Sequence, residues 1–319
     1  MREEYKYIRN EKYYYSFPDY CKETFGRKLY RIALDIGTTC PNRDGKLGYG
    51  GCIFCSENGS GDFSIKYRGQ KIEPGSIPYL SKTSGKDGDY IAYFQSYTNT
   101  YGDSRKLYKI FKSAMEDEFF AGIAIATRPD CLGPEILDVL KCLSLEHTDK
   151  FIWVELGLQT IHKESADIIR RGYDLPVFYE AVSNLHKIGI KVITHVIIGL
   201  PGESEDMIYE TVRYLNKAGI DGVKLQLLHY IKGTDLGRAY MESQKDADKK
   251  IKAMDKETYI RIIVNCIGRL SPGIVIHRLT GDGDRENLIA PEWSVYKKNI
   301  LNEIRSRLKS EGIRQGNMI

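Results

Sequence analysis

A chain of 319 residues that is 42% hydrophobic and carries a formal net charge of +4 can bury a large core and fits one α/β barrel-type domain with short extensions. It has no run of about 18 apolar residues, and MREEYKYIRNEKYYYSF carries charges where a secretion signal needs an apolar stretch, so the expectation is a cytoplasmic protein without a membrane anchor. Thiols stay reduced in that compartment, so seven cysteines, an odd number with three clustered, argue against a disulfide framework and for metal binding or catalysis.

In chain order, residues 1–31 carry eight Lys or Arg against five Asp or Glu, and residues 292–319 carry six against three. Basic ends around a near-neutral body suit a polyanion such as RNA, or are solvated helix faces. Between them, apolar runs at 29–36, 90–94, 122–126, 151–158, 191–198 and 222–228 alternate with helical patterns at 104–117, 134–144, 176–188 and 205–217. Lys187-Ile188-Gly189 and Lys217-Ala218-Gly219 end two of those helices as C-caps. The alternation predicts βα units around a parallel sheet, closed as a partial (β/α)6 TIM-like barrel or opened as a doubly wound sheet. Residues 56–88, rich in Gly, Ser, Lys and Asp, are expected as an exposed loop. A helix near 255–269, a short run at 274–276 and a last helix follow, with Trp293, Tyr296, Ile300, Ile304 and Leu308 on its packing face.

The chemistry-bearing stretch is CPNRDGKLGYGGCIFC at 40–55. Cys52 and Cys55 form a CxxC pair, and Cys40 lies across a glycine-rich loop that bends it back toward them. All three follow the first strand, which in a (β/α) barrel is the end where active sites sit. Two readings stand: a zinc knob closed by Cys21 or His162, and a four-iron cluster in which three thiolates leave one iron open. On the fourth strand Glu155, Gly157 and Gln159 share a face, as do Lys224 and Gln226 on the sixth. A lysine in an otherwise apolar run needs a partner if buried.

The spacing C-x11-C-x2-C after a strand, with GLPGE at 199–203 after the fifth strand, resembles the radical S-adenosylmethionine (SAM) enzymes. The branch is that of the Elongator catalytic subunit and the oxygen-independent coproporphyrinogen oxidases. FGRKLYRIALDIGTTCPNRDG, ATRPDCL, VELGLQT and HRLTGD are similar to the bacterial family typified by YhcC and YtqA, over nearly the whole chain. The resemblance implies a radical SAM core over 29–230 with its cluster loop at 40–55, an N-terminal extension over 1–28, and a C-terminal helical extension with a substrate-covering loop over 231–319. It implies that Cys40, Cys52 and Cys55 ligate a [4Fe-4S] cluster whose open iron chelates SAM.

By the same resemblance, Gln95, Ser96, Tyr97 and Thr98 stand where relatives bind the SAM amino group on a glycine-rich turn, although the glycines are absent here. Gln159, beside Glu155 on the same face, matches a polar SAM contact, and Arg171 matches a carboxylate-binding arginine. Ile197 and Gly199 would lie against the adenine. His195 occupies the place of an aspartate near the SAM ribose. Ala126 replaces a glutamate common in relatives and leaves Arg128 as the nearest polar group.

The implied substrate is the anticodon region of tRNA, with conversion of a wobble-uridine carboxymethylaminomethyl side chain to aminomethyl. Lys224, Arg128 or Arg278 would hold the carboxylate. Tyr5, Tyr7, Tyr13, Tyr14 and Tyr15 would offer stacking platforms, and His277, Arg278, Asp282, Asp284 and Arg285 would close the barrel over substrate. A flavodoxin or ferredoxin would supply the electron. Two rivals stay open: a radical SAM enzyme acting on a small molecule or peptide, and a non-catalytic zinc-bearing nucleic-acid binder.

Overall fold

Eight strands build one parallel sheet: β1 (Tyr30–Asp35), β2 (Ile65–Lys66), β3 (Tyr90–Phe94), β4 (Phe120–Thr127), β5 (Phe151–Gln159), β6 (Lys191–Ile198), β7 (Gly222–Leu227) and, beyond the short β8 (Tyr230–Ile231), β9 (Val275–Arg278). Their order is β2-β1-β3-β4-β5-β6-β7-β9, and every pairing is parallel. A doubly wound sheet reverses its strand order at a switch point. This order never reverses from β1 onward, and right-handed crossovers then place the helices on one face, which makes a barrel wall. Among the described residues β2 and β9 do not pair with each other, so the barrel is open. This computed structural model describes residues 12–57, 59, 61, 63–73, 77, 89–281 and 285–319; Tyr5, Tyr7, Asp282 and Asp284 lie outside them.

Strand alternation sorts the two faces. Ile32, Leu34, Phe94, Ile125, Val154, Val192 and Leu225 point outward and pack with Phe111, Leu140, Phe178, Leu215 and Ile263, which come from helices α2 (Ser104–Glu116), α3 (Pro134–Glu146), α5 (Leu175–Lys187), α6 (Glu205–Ala218) and α8 (Lys256–Arg269). Ile91, Tyr93, Ala124, Trp153, Ile193 and Val275 point inward and meet Phe17, Tyr20 and Cys21. Those last three belong to α1 (Phe17–Phe25), which plugs the floor of the barrel. Its boundaries are chemically marked: the Ser16 hydroxyl accepts from the Asp19 N–H, and Gly26 leaves the helix at φ 71°. The expected glycine stops at Gly189 and Gly219 take φ of 77° and 72°.

Several elements depart from expectation. Residues 56–88 are not wholly an exposed loop: β2 pairs with β1, and Tyr67, Ile72 and Ile77 are buried. A two-residue strand has no period to read. The helices α4 (Lys163–Ile168) and α7 (Asp235–Ser243), and the antiparallel pair of β8 with β10 (Leu288–Ala290), also went unread. In α9 (Lys297–Ser310), Ile300, Ile304 and Leu308 are fully buried, but Tyr296 precedes the helix and is exposed. Tyr13 and Tyr14 pack against the core, and Tyr15 donates from its hydroxyl to Glu23, so packing occupies these three rings. Among the described residues no helix is long and apolar enough to cross a membrane.

Candidate active site

The loop after β1 carries the three clustered thiols to the C-terminal end of the barrel, where all three line one chamber. Its shape is set by polar clamps on both sides. Asn42 Nδ2 donates to the carbonyls of Arg170 (2.7 Å) and Arg171 (3.1 Å) and reaches Cys52 Sγ at 3.7 Å. Arg43 donates to the Cys55 carbonyl at 3.2 Å and lies close against Gly51, where an added Cβ would stand 2.8 Å from its Nε. The Leu236 N–H donates to the Ile53 carbonyl at 2.9 Å, tying the loop to α7. Burial pushes the Cys52 thiol up to about 12, and the neighbouring Cys55 and Cys40 push the same way. The proposed fourth zinc ligands lie elsewhere: Cys21 sits in the floor plug, and His162 Nε2 is 2.9 Å from the Met207 carbonyl. Among the described residues no group of three or more His, Cys, Asp and Glu, the three thiols included, is placed to hold a single metal ion; a four-iron cluster takes one thiolate per iron instead.

The chamber has two lobes that share Phe54, Tyr93, Gln95, Gln226 and Arg278 as walls. The inner lobe, about 180 Å³, holds the thiols with Tyr97, Thr98, Arg128, Glu155, Gly157, Gln159, Arg171, His195 and Lys224. The outer lobe, about 470 Å³, is lined by Arg31, Phe63, Ile197, His229 and Arg278 among others. Strand alternation thus brings most of the expected residues together. Ser96 and Gly199 are outside both linings: Ser96 Oγ donates to Ser64 Oγ at 3.1 Å, and Gly199, at φ 91°, faces Met254, whose methyl would stand 3.2 Å from an added Cβ.

Three expected cations prove to be held by the protein itself. Arg171 is buried and donates to the carbonyls of Leu158 (3.1 Å), Thr160 (2.6 Å) and Tyr173 (2.9 Å). Arg128 grips Asp130 at 2.8 Å and donates to the Arg171 carbonyl at 2.7 Å. Lys224, only 2% exposed, pairs with Glu155 and donates to the Tyr93 hydroxyl at 3.1 Å. Its partner is therefore a protein carboxylate, and it does not run along the strand to solvent.

Glu155 is the hub of the barrel interior. Burial alone would raise its carboxyl, but Lys224, His195 and Arg31 outweigh that and hold it well below the usual carboxylate range. Burial pulls Lys224 down to about 7, helped by Arg31 and Arg278 and opposed by Glu155. His195 Nε2 lies 2.7 Å from Glu155 and Nδ1 lies 3.3 Å from the Gln226 amide. These partners assign the Nε2–H tautomer of a neutral ring, and burial, then Lys224, lowers its pKa.

Sequence reasoning missed Arg31 and the partnership it makes with His277. The Arg31 guanidinium stands 4.2 Å over the Phe17 ring, with Nη2 at 2.7 Å from His277 Nδ1 and 3.7 Å from Glu155 Oε1. The only available signal was its inward position in YRIALD.

The chain matches the radical SAM superfamily model over residues 36–215 and the radical SAM C-terminal domain model over residues 220–310. It is 39% identical to the uncharacterized protein YtqA of Bacillus subtilis over 98% of this chain and 94% of that protein. A shorter stretch of 130 residues is 29% identical to a tRNA uridine(34) acetyltransferase of Dehalococcoides mccartyi, covering 39% of this chain and 26% of that protein. Among solved structures, the archaeal Methanocaldococcus infernus Elp3 lacking its N-terminus shares the fold with a TM-score of 0.64 at 16% identity, over 90% of this chain and 65% of that one. With three thiols on one chamber at the C-terminal end of an open parallel barrel, this chain belongs to the radical SAM superfamily.

Proposed function

We propose that this radical SAM enzyme acts in the cytoplasm on the anticodon region of tRNA and converts a wobble-uridine carboxymethylaminomethyl side chain to aminomethyl. The observation that carries the reading is the two-lobed chamber: the three-thiol lobe opens through Tyr93, Gln95 and Gln226 into a second lobe of about 470 Å³, room for a nucleobase with a side arm. The stretch similar to a tRNA uridine(34) acetyltransferase supports tRNA as the substrate class. Phe63, 55% exposed at the outer lobe, and Phe54 between the lobes are the rings on which a splayed base stacks.

The superfamily's cofactors are a [4Fe-4S] cluster and SAM, and the donor set fits them. Cys40, Cys52 and Cys55 are three soft ligands on one chamber, and among the described residues no further cysteine lines it, leaving one iron for SAM. When bound, this pair supplies a deoxyadenosyl radical that abstracts a hydrogen. The chain's own residues do the rest. Asn42 and Arg43 hold the thiol loop. Arg128 and Arg171 hold the carbonyl-rich turn under the inner lobe. Gln95, Tyr97, Thr98 and Gln159 present polar groups to SAM from the inner wall, with Ile197 at the neighbouring outer wall. His195, Glu155 and Lys224 form a proton-bearing network against the reacting end, joined through Glu155 Oε2, while Oε1 has no hydrogen-bond partner among the described residues. Arg278 faces both lobes and meets the substrate. A flavodoxin- or ferredoxin-type donor delivers the electron.

The test is anaerobic reconstitution with iron and sulfide, then dithionite and SAM, reading 5′-deoxyadenosine and tRNA nucleosides by mass spectrometry. The expected result is SAM cleavage coupled to loss of the carboxymethyl group. SAM cleavage with every tRNA unchanged would move the enzyme to a small-molecule or peptide substrate, and a colourless zinc protein would overturn the reading.

A further inference from the structure

We propose that Arg31, oriented by His277, forms an anion subsite in the outer lobe that reads the carboxylate at the end of the substrate's side arm. The inference rests on the tRNA reading above and names the residue that selects the substrate. It starts from charge. The described walls of the outer lobe include Arg31 and Arg278 and no Asp or Glu. The inner lobe adds a single acid, Glu155, and Glu155 Oε2 is already taken by Lys224 and His195. Arg31 is left with Glu155 Oε1 at 3.7 Å, an ion pair too long for a hydrogen bond.

The guanidinium is held rigid without being used up. It lies over Phe17 at 4.2 Å and has Tyr93 at 5.9 Å. Because a guanidinium only donates, the 2.7 Å contact to His277 Nδ1 makes that nitrogen the acceptor and leaves His277 neutral with its proton on Nε2. His277 aims the fork and contributes no charge. Among the described residues neither Nε nor Nη1 of Arg31 has a hydrogen-bond acceptor, and Nε is buried. A planar fork with donors to spare, in a lobe whose described walls carry no acid, is matched by a carboxylate.

Depth decides between a carboxylate and a backbone phosphate. Arg31 is the second residue of β1, and the thiol loop begins only after that strand ends, so Arg31 lies toward the floor, against the plug residue Phe17. A slender arm on a flipped base reaches there, whereas the phosphates of a polymer stay at the mouth. Of the three cations expected to hold the carboxylate, Arg128 is gripped by Asp130 and Lys224 by Glu155, while Arg278 lines both lobes and meets the substrate beside Arg31.

The experiment uses the reconstituted, SAM-loaded enzyme and two anticodon stem-loop RNAs that differ only in carrying carboxymethylaminomethyl or aminomethyl at the wobble uridine. Wild type is expected to bind the carboxymethyl form about 10- to 100-fold tighter, the range of one charge-assisted hydrogen-bonded contact. Arg31→Gln should bring that ratio to within about twofold by weakening the carboxymethyl form alone, and Arg31→Lys should leave an intermediate ratio. Equal binding of the two RNAs by wild type, or equal weakening of both by Arg31→Gln, overturns the subsite and leaves the tRNA reading standing. N-benzylglycine and benzylamine serve as RNA-free probes by thermal shift. If neither RNA binds while N-benzylglycine and not benzylamine stabilises the wild type, Arg31→Lys less and Arg31→Gln not at all, the tRNA reading fails and the subsite stands. Inorganic phosphate that stabilises the enzyme as well as N-benzylglycine does, and with the same dependence on Arg31, would assign the subsite to phosphate and overturn the carboxylate.

Discussion

The inner and outer lobes of the chamber are both lined with cations, yet those cations do different work. In the inner lobe Arg128, Arg171 and Lys224 each meet acceptors from the protein: Asp130, backbone carbonyls and Glu155. In the outer lobe Arg31 has one neutral histidine and a distant carboxylate. Residue type does not distinguish the two sets, and burial does so only in degree, Arg31 being partly buried and the other three buried. Hydrogen bonding does: a cation whose every nitrogen meets a protein acceptor holds architecture, and one with nitrogens left without an acceptor in a cavity awaits a ligand.

The largest effect expected sits at the inner lobe. Cys40→Ala, Cys52→Ala or Cys55→Ala should each abolish the iron-sulfur chromophore and lower SAM cleavage by at least about 10³-fold, because the step has no other route to a radical. Cys131→Ala, in a separate groove beside Pro41 and Tyr101, should keep both. A retained chromophore in any of the first three would break the assignment of the inner lobe.

Next comes Glu155→Gln, which leaves Lys224 buried beside Arg31 without its counter-charge. Removing one partner of a buried pair costs about 3–5 kcal/mol, read as a fall in the denaturant midpoint, and adding Lys224→Met should restore much of it. An unchanged midpoint in the single variant would show that Lys224 is not held as described, and the contrast between the lobes would fail. Arg171→Lys should cost less, about 1–3 kcal/mol, because the carbonyls of Leu158, Thr160 and Tyr173 lose the planar fork.

How much of this was legible follows from the same physics. The six long strands could be read because each is an apolar run of five or more residues, and β2, β8 and β10 could not because two or three residues carry no period. The thiols were legible by spacing, and Glu155 with Gln159, and Lys224 with Gln226, by alternation. What stayed hidden is partnership. Arg31 and His277 are 246 residues apart, and nothing local in YRIALD or VIHR marks them as a pair. Likewise ATRPDCL contains Asp130 and IIRRGY contains Tyr173, but neither announces the carbonyls of Arg171, Leu158 and Thr160 that complete the hold on Arg128 and Arg171 through tertiary folding.

The smallest effect bears on the outer lobe through pH. His277 is held neutral: burial, then the positive charge of Arg31, lowers its pKa well below the ordinary value. Lys224 and His195 push the same way, and only Glu155 opposes them. His195 is lowered too, by burial first. For each ring the folded chain takes its proton at a lower pH than the unfolded chain, so stability is fully present above about pH 6.5 and falls as pH drops below it. Each such ring contributes a slope of at most about 1.4 kcal/mol per pH unit; Lys224, lowered to about 7, adds to it only near the top of that range, and Glu155 adds its part only below the ordinary range of a glutamate. His277→Asn should therefore flatten the pH dependence of the unfolding free energy between about pH 5 and 6.5 by up to about 1.4 kcal/mol per pH unit, measured by denaturant titration. A slope that does not change would mean that His277 carries the same proton folded and unfolded. It could not then accept from Arg31, and the outer lobe would lose the group that aims its guanidinium.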